Sequence, residues 1–114
     1  MEDLIQAIRE GLPMAWAGWV SDGAPELLPC VLLLELGRST AVIGDNTTLL
    51  MRQIVEARVY AAERERCSAM GDLVVVLARK YGFTCTEIRA QADGKLRGVA
   101  LTLERWLPMK VGEV

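Results

Sequence analysis

The chain has 114 residues, with thirteen Lys and Arg against fifteen Asp and Glu and no histidine. That length predicts one domain over residues 1–114, and a net charge of −2 excludes the basic face that nucleic acid or an acidic membrane demands. The missing histidine excludes imidazole bases, His-dependent triads and His-ligated zinc, while 52% hydrophobic residues exclude disorder.

Taken in order, Met1 to Gly11 predicts a helix, because Leu4, Ile5 and Ile8 share one face and the charges lie elsewhere. Met14 to Val20 predicts a strand. Trp16 and Trp19, three apart, then face opposite ways, so one fills the core and the other is left for an interface or a ligand. Asp22-Gly23-Ala24-Pro25 is a hairpin signal. Glu26 to Leu36 predicts the second strand, and its run Val31-Leu32-Leu33-Leu34 is apolar on both faces, which requires two burial surfaces. Gly37-Arg38-Ser39 predicts a turn and Thr40 to Ile43 a third strand.

Gly44 to Thr48 then reads as a break that opens a helix, capped by Asn46 or Thr47 and continued by Leu49, Leu50, Gln53, Ile54 and Ala57 at helical spacing. Arg58 to Arg66 reads as strand or as more helix. Leu73 to Leu77 is β-branched and predicts a buried strand, with a helix reaching Tyr81 as the alternative. Thr84 to Ala92 fits either state. Asp93-Gly94 signals a turn, and Gly98 to Trp106 alternates as the clearest strand in the chain, with Pro108 ending it.

Cys30, Cys67 and Cys85 are odd in number and form no C-x-x-C pair, as expected of buried, reduced thiols in a cytoplasmic protein. Met1 to Gly11 has the wrong charge for a secretory leader, and the apolar run Leu27 to Leu34 falls short of the ~20 residues of a membrane span.

The stretch from Pro13 to about Arg66 resembles the flavin-binding split-barrel family, the relatives of pyridoxamine 5'-phosphate oxidase. The residues that carry the likeness are Ala15 to Val20, Asp22-Gly23-Ala24-Pro25, Leu28 to Leu36, Thr40 to Ile43, Asn46-Thr47-Thr48 and Gln53 to Val59. The resemblance implies a mainly β fold with flanking helices, a small split β-barrel in the α+β class. It also implies a homodimer that binds FMN between subunits and acts as an oxidoreductase. On that reading Asn46, Thr47 and Thr48 at a helix N-terminus hold the flavin phosphate, with Arg52 the nearest cation. Trp106 approaches the flavin of the partner. The flavin would carry the redox chemistry, which needs no histidine.

Two other readings follow from the same residues. One is a cofactor-free dimer, a split barrel or a similar α+β module, that serves as an interaction or regulatory unit through its apolar surface. The other is a small α+β domain of the ferredoxin-like kind that binds a metabolite at a dimer interface, marked by helix rather than strand across Asp72 to Tyr81.

Overall fold

The computed structural model describes residues 2–22, 28–43, 48–93 and 96–110. Their order is α1 (Glu2–Gly11), β1 (Trp16–Trp19), a short 3-10 turn (Val20–Asp22), β2 (Cys30–Ile43), β3 (Thr48–Ala61), α2 (Arg64–Arg79), β4 (Thr84–Asp93) and β5 (Leu96–Lys110). The strands make one open, mixed sheet in the order β1-β2-β3-β5-β4. The fold is therefore mainly β with two helices, in the α+β class. No described strand closes the sheet into a barrel, because β1 and β4 both remain edges.

Both helices lie on one face of the sheet. Leu4, Ile5, Ile8 and Leu12 of the first helix and its exit, with Cys67, Met70, Val74 and Ala78 of α2, bury against Val31, Leu33, Val55, Ala57, Val59, Leu101 and Leu103. These strand positions alternate, as the pleat requires. Ala17 and Trp19 join that covered face, while Trp16 lies on the other with its ring over Gly18, where an added Cβ would come within 2.4 Å of it.

Several expectations are overturned. Pro25 and its neighbours do not serve a hairpin, because β1 pairs with β2 in parallel, Trp16 to Cys30 through Trp19 to Leu33; residues 23–27 themselves lie outside the described residues. Gly37-Arg38-Ser39 is not a turn. It follows a β-bulge between Glu35 and Gly37, and the two expected strands are one. The helix expected after Asn46 and Thr47 is the strand β3, whose odd-numbered residues face the core. Pro108 does not end β5, which runs on to Lys110.

The buried strand expected at Leu73 to Leu77 lies within α2. Its buried residues Cys67, Met70, Gly71, Val74, Leu77 and Ala78 follow the helical period. The helix closes on Gly82 at φ +85, with the amide of Phe83 bonded to Ala78 O and that of Gly82 to Arg79 O. This crossed pair is a Schellman ending, and it needs glycine at the left-handed position.

Candidate functional site

The long strands outrun the helices. The core cluster under the helices reaches Val55 and Leu103; beyond it Leu49 is still buried, but Leu50, Met51 and Leu107 are only half-buried. Ser39–Ile43, Thr48–Arg52 and Trp106–Lys110 thus continue as a three-stranded tongue, about 17 Å long at the usual strand rise. The molecule measures 51 × 23 × 22 Å and has a radius of gyration of 15.4 Å, against about 13 Å for a compact domain of this length.

At the root of the tongue, Arg105 fastens four elements together. Its Nε donates to Gln53 Oε1 at 2.6 Å, and its Nη1 to Asp3 Oδ2 at 3.0 Å and to Tyr81 O at 3.2 Å. Its guanidinium lies 4.4 Å from the centre of the Phe83 ring. Desolvation raises the Asp3 carboxyl, but the hydrogen bonds from Arg105 and the Leu4 amide, with the guanidinium charge, outweigh it and hold the group below its ordinary value.

The open face of the tongue carries two of the expected site residues side by side. Arg52 and Trp106 are cross-strand partners, with the guanidinium 5.9 Å from the indole centre. Arg52 also donates twice to Glu104, Nε at 2.7 Å and Nη2 at 3.2 Å, a forked arrangement that occupies the face a phosphate would use. The hydrogen bond from Arg52, its charge and the Trp106 indole hold Glu104 below the usual carboxylate range. Glu104, Trp106, Thr84 and Thr86 border a shallow depression of about 440 Å³.

The other expected phosphate residues are not brought to this pair. Asn46 and Thr47 lie outside the described residues, and Thr48 is the first residue of β3, paired with Ile43 and Lys110 rather than opening a helix. Arg38, opposite Gln53, lies on the other face from Arg52 and is paired with Glu35. Among the described residues the expected phosphate grip is not assembled: Thr48 opens no helix, and Arg52 is already engaged by Glu104.

Two further features escaped sequence reasoning. On the open face, Glu56 is 6% exposed and accepts hydrogen bonds from Arg58 Nε and Arg89 Nη2. Its neighbour Gln91 keeps a buried Oε1 without a partner. The even spacing of Arg52, Glu56 and Arg58 was the available signal, obscured because Leu50 and Ile54 share that face. Between α2 and β4 lies a groove of about 380 Å³ bordered by Arg64, Cys67, Ile88 and Val99, with Ile88 62% exposed.

No described group of His, Cys, Asp or Glu is arranged to hold a metal, and no described helix is long and apolar enough to cross a membrane. Comparison of the chain with protein-family models and with the curated proteins finds no match.

Proposed function

We propose that the chain is an α+β interaction module that works as a homodimer and needs no bound flavin. The observation that carries this reading is the tongue, upon which no helix of the core cluster packs and which leaves Trp106 exposed and Leu50, Met51 and Leu107 half-exposed. A sheet segment of three strands gains little stability without a covered apolar face, and exposed apolar surface of this kind marks interaction sites. The helix across Asp72 to Arg79 and the edge positions of β1 and β4 among the described strands support an α+β module over a split barrel.

The test has two arms. Sedimentation of the purified chain across a dilution series is expected to show a dimer whose dissociation increases the binding of an apolar dye. Titration with FMN is expected to leave flavin fluorescence unquenched. A monomer throughout, or saturable quenching of FMN that is lost on Arg52→Ala substitution, contradicts the reading.

A further inference from the structure

We infer that two copies join by antiparallel pairing of Ser39–Ile43 of β2 with the same segment of the second copy. The inference rests on the interaction reading above and names its partner and contact. β1 pairs with β2 only from Cys30 to Leu33, so among the described strands the edge of β2 from Leu34 to Ile43 has no neighbour. An edge of that length is a template for another strand unless something blunts it.

The blunting devices are unevenly placed. The bulge at Glu35/Gly37 and the charges of Glu35 and Arg38 guard the part of the edge next to β1. Beyond them, Ser39-Thr40-Ala41-Val42-Ile43 has no charge, no proline and three β-branched residues, a composition prone to strand pairing. On the opposite side β4 carries Glu87, Arg89 and Asp93, and over the tongue, beyond the end of β4 at Thr84, the edge is Trp106–Lys110 of β5, whose sequence holds Pro108 and Lys110. That side therefore carries charge or proline, and the β2 edge is neutral over the tongue alone.

Symmetry and space agree with self-pairing. A two-fold axis through Ala41 sets Ser39 of one copy opposite Ile43 of the other, antiparallel, and brings no like charges opposite one another. Paired residues then lie on the same face, so the two sheets continue into one. An axis nearer Glu35 would drive the partner strand into β1, which fills the edge at Cys30–Leu33. Pairing along the tongue also brings the apolar surfaces around Leu50, Met51 and Leu107 of both copies into one continuous sheet.

The experiment compares the full-length chain with Thr40→Lys, Thr40→Pro and Ala41→Pro by sedimentation equilibrium, with circular dichroism to check folding. Successive strand residues aim their N–H groups in opposite directions, so one of the two proline variants spares the β2–β3 ladder and blocks the free edge. That variant and Thr40→Lys are expected to weaken the dimer by about tenfold or more. Amide exchange at Ser39–Ile43 of the parent is expected to slow as concentration rises. Unchanged dimer strength in folded Thr40→Lys, with exchange independent of concentration, overturns edge pairing but leaves the interaction reading standing. A parent that is monomeric at every concentration overturns both. Protection of the segment only on adding another protein overturns the second copy as the occupant.

Discussion

Gln53 and Arg105 face each other across β3 and β5, and the 2.6 Å hydrogen bond between them closes the covered core where the tongue begins. Both side chains are buried, Gln53 at 3% and Arg105 at 6% exposure. Nη1 of Arg105 donates to both Asp3 and Tyr81 O, so one side chain ties α1 and the α2–β4 turn to the central strands.

Replacing Arg105 with Met keeps the apolar stem and removes every donor. Gln53 and the Tyr81 carbonyl lose their partner, and the expected cost is about 2–3 kcal/mol. Asp3→Asn touches only the half-exposed end of the network and is expected to cost less than about 1 kcal/mol. Urea unfolding of the two variants checks the order, and equal effects would show that Arg105 acts through Asp3 alone.

Acid should act through two carboxylates. Asp3 and Glu104 are both held below their ordinary values of 3.8 and 4.5 in the folded chain. A depressed carboxyl contributes stability that is complete above its unfolded pKa and lost as pH falls through the folded one. Stability should therefore decline only below those ordinary values, and Asp3→Asn should flatten part of the decline. Trp106 fluorescence should change over the same acid range, because protonation of Glu104 releases Arg52 and the indole. Glu104→Gln should abolish that change.

Two glycines should respond in opposite ways to Ala. The ring of Tyr60 closes on its cross-strand partner Gly98, where a Cβ would come within 2.7 Å of Cδ1 and Cε1. Gly98→Ala is expected to destabilise by about 1–3 kcal/mol. Gly71 in α2 has its nearest neighbour, Val99, at an ordinary 3.7 Å from a new Cβ. Gly71→Ala should stabilise by about 0.5–1 kcal/mol, since the helix gains propensity at no steric cost. Thermal unfolding of both decides.

The thiols should label in order of burial. Cys30 and Cys67 are buried, and desolvation raises both thiols. Cys85 is partly exposed. An alkylating reagent is expected to modify Cys85 first and the others only on unfolding, as read by peptide mass. Early labelling of Cys67 would contradict the packing of α2 against Val59.

The parts of the fold legible in the sequence are those where one local signal stood alone. Leu4, Ile5 and Ile8 marked α1, and the alternation from Gly98 to Trp106 marked β5. Where two signals competed, tertiary context decided. Leu49, Leu50, Gln53, Ile54 and Ala57 fit a helix, yet the same stretch lays Val55, Ala57, Val59 and Ala61 along one face of a strand. Val74-Val75-Val76 is β-branched, yet α2 forms because Cys67, Met70, Val74 and Ala78 bury along one stripe. The turn chemistry of Gly37-Arg38-Ser39 was spent just after a bulge. Of the candidate site, the nearness of Arg52 and Trp106 was not legible, because it depends on the register of β3 against β5, fifty-odd residues away. The Arg105 clamp depends on the same register.

The mass of the chain in solution tests the interaction reading most directly. Light scattering on the eluting protein should give twice the 12.5 kDa of one copy, falling toward one copy on dilution or on substitution of Thr40 by Lys. A mass of one copy at every concentration would contradict it.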